Sequence, residues 1–529
     1  MAQPVKAKIK SSSSSRTSQA QRAGCMQIIF KILGISLLCL IAFCVIRAFI
    51  LYPYPKLPEP CDQQSDHQAI TVETGIVDRF RAALTYKTIS WSAGNYDRSE
   101  LVRFREFIQK SFPTLHSSPL VKREIIANYS LLYEIEGADK SLKPYMLCAH
   151  MDVVPVERDK WNFDPFGGIV DGGFIYGRGA VDVKDALMGI LEAIEFELRR
   201  GFKPKRTIYL AFGHDEEVMG KDGAVAIRDY LMAKGVQLEF ILDEGTVILK
   251  EAIVGVPVEK VAIIGVAEKG YLTVKLEVQG EAGHASAVPY ESTIVILSKA
   301  LSKFNSHAHL DMFGTGPERS FFESLAPYAN PVFKVILGNL WLFGWLYSRI
   351  VSLYPVGNAM VRTTSVVTVI DGGLKDNMIP TFASALINHR IHPSQTINDI
   401  VEYDKKIIND DRVNVSIVYG NEPAPSSPHD DNIFGYQSIK QSIQQIFPEA
   451  VVVPGIMIAG TDTKWYKPLT ECIFRFSPLV IFKEEMILFH GHNERISIDN
   501  YVKAVNFYHH VILSADRSEL PKPSVKDEL

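Results

Sequence analysis

Short apolar runs alternate with helical patterns over residues 70–260, and this alternation is the strongest constraint on the fold. Residues 145–149 and 207–212 are predicted as buried strands, and residues 186–199 carry their apolar side chains on one helical face. Such alternation predicts an α/β fold with a mostly parallel sheet and helices on both sides. Ligands of these sheets bind beyond the carboxyl ends of the strands, so residues that follow the strands are candidate site residues.

The pattern changes over residues 261–420. Predicted strands at 272–278, 365–370 and 383–391 show alternation of apolar and polar residues and are separated by predicted helices at 292–304 and 397–408. We interpret this region as a smaller α+β domain inserted into the first one. The α/β pattern returns over 421–515, so the catalytic domain is expected in two parts, 70–260 and 421–515, followed by a tail over 516–529.

The N-terminus has the organisation of a membrane anchor. Residues 1–26 are basic, contain no acidic residue and predict a disordered cytosolic tail. Residues 27–52 are apolar apart from Lys31 and Arg47 and predict a transmembrane helix. A Pro-rich linker follows over 53–69. Both a retained signal anchor and a cleaved signal peptide fit this pattern. The basic leader predicts a cytosolic N-terminus and a lumenal catalytic domain.

The C-terminus supports that topology. The chain ends in Lys-Asp-Glu-Leu over 526–529, the signal that the KDEL receptor reads. We therefore expect a single-pass protein of the endoplasmic reticulum membrane, with secretion after signal cleavage as the alternative. Asn128 and Asn414 begin sequons for N-glycosylation, so a glycoprotein is expected.

Charge and cysteine content exclude two classes of site. The net charge of −4 gives no reason to expect nucleic acid as a partner. Cys61, Cys148 and Cys472 lie beyond the apolar segment, and three thiols cannot form a disulfide framework. None has the spacing of a zinc knuckle, so any metal is expected to be bound by His, Asp and Glu.

Imidazoles and carboxylates recur directly after predicted strands. His150 and Asp152 follow strand 145–149, Glu216 and Glu217 follow strand 207–212, and Asp243 follows a predicted strand at 238–242. Asp182 and His490 lie in two further polar segments. This inventory suits two zinc ions that share one bridging carboxylate. Such a pair lowers the pKa of a shared water, and a separate carboxylate must take its proton.

Five motifs carry a resemblance to a known family: HMDVVP, GRGAVDVK, GHDEE, LDEG and HGHNERI. Over 70–515 the chain resembles the di-zinc metallopeptidases that include aminoacylase and carboxypeptidase S. The resemblance implies that Asp182 bridges two Zn²⁺ ions. It implies His150 and Asp243 as the remaining ligands of one ion, and Glu217 and His490 as those of the other. His492 is a rival to His490.

The resemblance also implies catalytic roles beside the metals. Asp152 would hydrogen-bond His150 and fix its tautomer. Glu216 would act as general base and acid. In the inserted domain, His284 matches the lid histidine that stabilises the oxyanion, often across a homodimer interface.

Three further residues match substrate-binding positions of the family. Asn377 and Arg390 correspond to positions that bind near the substrate carboxylate, for which an Arg fork is suited. Lys464 stands in a Gly-Thr-Asp-Thr-Lys segment where the family usually has Arg, which weakens the expectation of a two-point contact there.

Motifs outside the metal site resemble those of family members that act on N-fatty-acyl amino acids. The implied function is hydrolysis of these amides and their reversible formation from fatty acid and amino acid. Two alternatives remain: a carboxypeptidase or dipeptidase acting on short peptides, and a catalytically inactive binding protein retained in the endoplasmic reticulum. The aromatic-rich segment 306–362 either forms an apolar groove for the acyl chain or packs the core of the insert.

Overall fold

The computed structural model describes residues 14–54, 69–250, 253–287, 290–306 and 309–519. The helices, in chain order, are α1 (Ser14–Leu51), α2 (Ile76–Leu84), α3 (Arg98–Ser111), α4 (Pro113–Ser117), α5 (Lys184–Arg199), α6 (Ala224–Ala233), α7 (Thr293–Ser306), α8 (Glu318–Leu325), α9 (Pro331–Leu337), α10 (Leu340–Val351), α11 (Pro355–Val361), α12 (Ile397–Ile408), α13 (Phe434–Ile446), α14 (Thr463–Tyr466) and α15 (Ile498–Ala515).

The strands, in chain order, are β1 (Ser90–Ser92), β2 (Asn95–Tyr96), β3 (Val121–Ile126), β4 (Ser130–Ile135), β5 (Tyr145–His150), β6 (Ile169–Asp171), β7 (Phe174–Tyr176), β8 (Ile208–Gly213), β9 (Ile241–Lys250), β10 (Lys260–Glu268), β11 (Gly270–Gln279), β12 (Gly283–His284), β13 (Thr364–Gly372), β14 (Met378–Ile379), β15 (Phe382–Ile391), β16 (Val413–Asn421), β17 (Ala450–Met457), β18 (Ile473–Phe482) and β19 (Arg495–Ser497).

Helix α1 contains the expected apolar span. Its stretch Ile28–Leu51 has 24 residues and is long and apolar enough to cross a membrane, which is consistent with a signal anchor or a signal sequence. The helix begins at Ser14, inside the segment 1–26 for which composition predicts disorder. Once a helix has formed, each residue that is added to it gains a hydrogen bond. The helix of the apolar span can therefore extend into the polar residues that precede it. Residues 1–13, most of the linker and the C-terminal Lys-Asp-Glu-Leu lie outside the described residues.

The catalytic domain is built on an eight-stranded sheet of order β17-β10-β18-β9-β5-β8-β4-β3. The central pairs β8–β5, β5–β9 and β9–β18 are parallel, and so is β10–β17. The pairs β3–β4, β4–β8 and β10–β18 are antiparallel. The sheet is therefore mixed, and the expected parallel arrangement holds for the centre, where the carboxyl ends of β5, β8 and β9 share one edge.

Helices cover both faces of this sheet. Helices α2, α5, α13 and α15 pack on one face, where Leu187, Ile439 and Tyr501 are buried in the main apolar core. Helix α6 covers the other face with Ile227 and Leu231. Burial of each such side chain contributes about 1.5–3 kcal/mol, so these layers fix the strands that carry the site.

The inserted domain contains a four-stranded antiparallel sheet of order β13-β15-β11-β16. Helices α7 and α12 pack on one of its faces, against the inward-facing Leu272, Val274 and Leu276 of β11. Apolar residues of β13 and β16 such as Val366, Ile370 and Ile417 are exposed. We use the term lid sheet for these four strands.

Two segments expected in the insert (261–420) lie with the catalytic sheet instead. Strand β10 pairs with β17 and β18. Helices α8 to α10 contribute Phe321, Phe322 and Tyr347 to an apolar cluster with Val451 and Val453 of β17. The reason is that β17 is an edge strand whose apolar side chains need a cover, which α8–α10 supply. Part of the segment 306–362 is therefore core, although Trp341 and Trp345 are exposed.

Candidate metal centre

His150 is the last residue of β5 and lies beside Gly213, the last residue of the parallel neighbour β8. Its imidazole is buried, and Nδ1 lies 2.9 Å from the main-chain oxygen of Asp152. A carbonyl oxygen only accepts, so Nδ1 donates to it, which leaves Nε2 to face the carboxylates. Nε2 lies 3.3 Å from Asp182 Oδ1 and 3.4 Å from Glu244 Oε1.

The two oxygens of Asp182 face two different histidines. Oδ1 points to His150, and Oδ2 lies 3.1 Å from Nε2 of His490. Glu217 Oε2 lies 3.1 Å from the same His490 nitrogen. The result is two groups, His150–Asp182–Glu244 and Asp182–Glu217–His490, that share Asp182. A shared carboxylate between two sets of oxygen and nitrogen ligands is the arrangement that a pair of divalent cations requires.

Asp152 holds the turn that carries the two glutamates. Its Oδ1 accepts from the main-chain N–H of Glu216 at 3.1 Å, and its Oδ2 accepts from that of Glu217 at 3.2 Å. The neighbouring side chains then diverge. Glu217 faces His490, while Glu216 Oε1 lies 3.8 Å from Lys464 Nζ. The two adjacent carboxylates are thus directed to different partners.

Burial and crowding determine the charge state of the group. Burial, followed by the charge of Asp182, raises the pKa of Glu217 to about 8. Hydrogen bonds to Asp182 and Glu217 raise the pKa of His490 to about 10. Burial also raises the pKa of Glu216 and of Glu244. Carboxylates thus outnumber the cationic side chains, and Glu217 Oε1 is a buried oxygen without a hydrogen-bond partner. Two dications would complete both the charge and the coordination.

Comparison with known proteins identifies the fold family. The sequence profile of peptidase family M20/M25/M40 matches residues 146–514. The chain belongs to this family. The M20 family is metal-dependent, and the expected α/β fold and enzyme class are confirmed.

Relatives in the M20 family cover nearly the whole chain. The N-fatty-acyl-amino acid synthase/hydrolase PM20D1 of Mus musculus is 43% identical over 453 residues, which are 85% of this chain and 90% of the relative. The probable carboxypeptidase S-like 2 of Dictyostelium discoideum is 38% identical over 506 residues, 94% of this chain and 96% of the relative.

Solved M20 structures share the fold. The metallo-carboxypeptidase Sso-CP2 from Sulfolobus solfataricus has a TM-score of 0.62 at 19% identity and covers 83% of this chain and 99% of that one. The Bacillus subtilis protein YXEP, a dinuclear metal binding peptidase, has a TM-score of 0.52 at 13% identity and covers 83% and 97%.

The structure places Glu244 Oε1 3.4 Å from His150 Nε2, where Asp243 was the expected ligand. The pairing of β9 with β18 is regular up to Asp243 opposite Arg475 and resumes at Thr246 opposite Phe476. The intervening Glu244 and Gly245 form a bulge, which redirects a side chain at a strand end. Asp243 Oδ1 accepts the main-chain N–H of Glu244 at 2.9 Å, and the buried Asp243 Oδ2 has no hydrogen-bond partner. Gly245 has φ +155°, and this glycine after two acidic residues was the available signal for a bulge.

Arg178 and Glu494 form a buried pair for which sequence reasoning assigned no role. Arg178 Nη1 donates to Glu494 Oε2 at 2.7 Å, and Nη2 donates to the main-chain oxygens of His490 and Gly491. Glu494 also accepts the N–H of Val181 at 2.8 Å. The pair therefore holds the segments of Asp182 and His490 together.

The lid residues form a separate group. His284 on β12 is exposed, and its Nδ1 lies 2.8 Å from Ser286 Oγ. Asn377 accepts the N–H of Ala285 through its main-chain oxygen. The guanidinium of Arg390 lies 4.9 Å from the centre of the Tyr271 ring, and burial lowers its pKa. Among the described residues, no hydrogen bond or ion pair joins these three to the metal group.

Lys464 is the substrate-binding candidate that the structure does bring to the metal group. Its side chain is buried between Glu216 and Asp462, whose charges raise its pKa although burial lowers it. A lysine that stays protonated here can orient the Glu216 carboxylate.

Proposed function

We propose that this chain is a di-zinc amidohydrolase that hydrolyses N-fatty-acyl amino acids and forms them in reverse. The observation that carries the proposal is the pair of ligand groups sharing Asp182, with Glu216 beside them. The named activity of the Mus musculus relative supports the substrate class.

The proposed ligands are His150, Asp182 and Glu244 for one ion and Asp182, Glu217 and His490 for the other. Their imidazole and carboxylate donors, without a thiolate, suit zinc. When bound, such a pair lowers the pKa of a shared water and polarises the amide carbonyl. Asp152 contributes by fixing both glutamates through their main-chain N–H groups.

Glu216 is the proposed proton carrier. It takes the proton of the attacking water and returns it to the leaving amine nitrogen, and the reverse sequence forms the amide. Burial raises its pKa above the ordinary value, and the charge of Lys464 opposes that rise. Lys464 lies 3.8 Å away and keeps that side chain directed into the site.

The lid residues are proposed to act on the substrate. Arg390 and Asn377 would bind the amino acid carboxylate, and His284 would stabilise the oxyanion. Their separation from the metal group requires lid closure or a contribution from a second copy of the chain. The exposed Val366, Ile370 and Ile417 of the lid sheet favour a homodimer.

The location is also a proposal. Helix α1 as a signal anchor, together with the terminal Lys-Asp-Glu-Leu, supports a single-pass protein of the endoplasmic reticulum membrane with a lumenal catalytic domain. Glycosylation at Asn128 and Asn414 would follow from that topology.

The second candidate is a carboxypeptidase of short peptides, which the carboxypeptidase S-like relative favours. The test is turnover by the full chain in zinc-containing buffer, comparing N-oleoyl-phenylalanine, N-acetyl-phenylalanine and dipeptides. We expect the oleoyl amide to have the highest kcat/KM. Preference for dipeptides would establish the second candidate, and a chain without zinc or turnover would indicate an inactive binding protein.

A further inference from the structure

The turn between α9 and α10 packs against the last turns of α1. Asn339 Nδ2 donates to the main-chain oxygen of Cys44 at 2.9 Å, and Arg47 Nη1 donates to the main-chain oxygen of Gly338. The rings of Phe43 and Trp341 meet edge to face at 6.5 Å. Cys44 is buried in this contact, whereas most of α1 is exposed. The helix and the turn are therefore fixed to each other.

This contact determines the depth of the turn. Residues 28–43 of α1 span only about 24 Å at 1.5 Å per residue. The apolar core of a bilayer is about 30 Å thick. The span that starts at Ile28 must therefore use the helical turns after Phe43, and these are the turns that contact Asn339 and Trp341. The α9–α10 turn then lies at the level where α1 leaves the membrane.

The polar groups of the turn can lie where α1 leaves the membrane because they have hydrogen-bond partners within the protein. Asn339 Nδ2 also donates to the main-chain oxygen of Val335 at 2.8 Å, and Asn339 Oδ1 accepts from Trp341 Nε1 at 3.2 Å. On α1, Arg47 Nη1 donates to the main-chain oxygen of Gly338. Backbone and amide groups need internal partners where water is scarce.

Beyond the turn, α10 and the residues after it carry apolar side chains on their outer side. We name Trp341, Trp345, Leu346, Ile350 and Leu353 the tryptophan face; Trp345 is 64% exposed and Leu353 is 79% exposed. The opposite side of α10 is buried through Gly344, Tyr347 and Ser348.

The charge of this region agrees with a lipid surface. Residues 331–361 contain Lys334 and Arg349 but no acidic residue. Tryptophan is enriched at membrane–water interfaces, and an exposed apolar patch of this kind marks a contact surface.

We propose that the tryptophan face docks on the bilayer that α1 crosses, at the boundary of headgroups and acyl chains. The catalytic domain then contacts the membrane at two places, α1 and this face. Long-chain amides partition into the same layer, so the contact would hold the enzyme where such substrates concentrate. The docking rests on the proposed anchor and is independent of the reaction.

The experiment uses the full chain with an intact N-terminus in phosphatidylcholine nanodiscs. Tryptophan emission is measured with ordinary lipid and with lipid brominated close to the headgroup, which quenches only rings in contact with it. We expect bromination to quench the wild type, W341F/W345F to lose that quenching and W91F to keep it. Trp91 is the matched control because both Trp91 and Trp341 are 50% exposed.

Equal quenching in W341F/W345F and wild type, or none in the wild type, would overturn the docking. Unquenched emission together with two copies per nanodisc would place a second chain on the face and overturn it as well. Running the assay on the E216Q chain separates the two proposals, because quenching needs no turnover. Intact quenching in a wild-type chain that does not hydrolyse N-oleoyl-phenylalanine would leave the docking standing and reject the proposed activity.

Discussion

The metal group and the lid residues differ in how their side chains are held. At the sheet edge, His150 and Glu494 are buried, and Asp152 and Arg178 connect segments that are distant in the chain. In the lid, His284 is exposed and is bonded to a residue two positions away. The site at the sheet edge is therefore preformed, whereas His284 in the lid is held only by a local contact.

This difference separates two costs of catalysis. Preformed groups need no rearrangement at the moment of reaction, which is the main advantage of a rigid site. Groups that must be brought in add a conformational step and make the reaction sensitive to closure or to dimerisation. Substitutions at the edge and in the lid should therefore differ in how they change kcat and zinc binding.

The largest effect is expected for E216Q. The glutamine side chain of this variant cannot take a proton from water, so kcat should fall by about 100- to 10,000-fold while zinc content is unchanged. Steady-state rates and metal analysis on the same sample measure both, with the exposed E471Q as control. Retention of more than a tenth of kcat would assign the proton transfer to another group.

The next effect tests the lid. H284A should lower kcat by about 100- to 1,000-fold, the loss typical of an oxyanion donor. Because His284 is exposed and makes only local contacts, the melting temperature and zinc content should stay at wild-type values. If its contribution comes from a second copy, mixing H284A with E216Q chains restores activity. A fall in zinc content would instead place His284 at the preformed edge.

A smaller effect distinguishes the two acidic residues at the bulge. E244Q removes a proposed ligand and should weaken zinc binding about 100-fold, whereas D243N should weaken it about 10-fold, the range found for supporting residues. Competition with a chelator measures both variants. The opposite order would restore Asp243 as the ligand and show that the bulge does not redirect Glu244.

The smallest effect concerns Lys269, which lies in the chain between β10 of the catalytic sheet and β11 of the lid sheet. Its Nζ donates at 2.8 Å to the main-chain oxygens of Ala359 and Arg362, and burial lowers its pKa to about 7. Between pH 7 and about 10.4, Lys269 is protonated to a greater extent in the unfolded chain than in the folded one. Its contribution to the free energy of unfolding therefore rises with pH over that window. K269M should reduce the slope of the unfolding free energy by up to about 1.4 kcal/mol per pH unit. Chemical denaturation at several pH values measures it, and K203M at an exposed lysine should keep the wild-type slope.

Much of the fold follows from local patterns. The predicted strands 145–149 and 207–212 became β5 and β8 because apolar runs of this length are typical of buried strands. The placement of β10 could not be predicted, since its apolar run fits either sheet and the choice depends on pairing with β17, nearly two hundred residues away. Covering of β17 by α8–α10 depends on the same distant contact.

The site divides in a similar way. His150, Asp182, Glu217 and His490 lie together as their motifs predict: His150 ends β5 and Glu217 follows β8 at one sheet edge, while Asp182 and His490 reach it from turns. The position of Glu244 beside His150 was not expected, because it depends on the bulge in β9, and Asp243 stays a predicted ligand. The Arg178–Glu494 pair was missed because no local pattern indicates that two charged residues so far apart will be buried together.

The joining of distant segments by Arg178 and Glu494 has a consequence for biosynthesis. Asn506 of α15 also binds both main-chain groups of Ile70, so the start and end of the catalytic domain are tied to each other. A ribosome delivers these partners at opposite ends of translation, while the strands of the lid sheet emerge between them. The lid sheet can therefore fold before the domain that surrounds it, and a nascent chain can complete the proposed metal site only after residues 490–494 have been made.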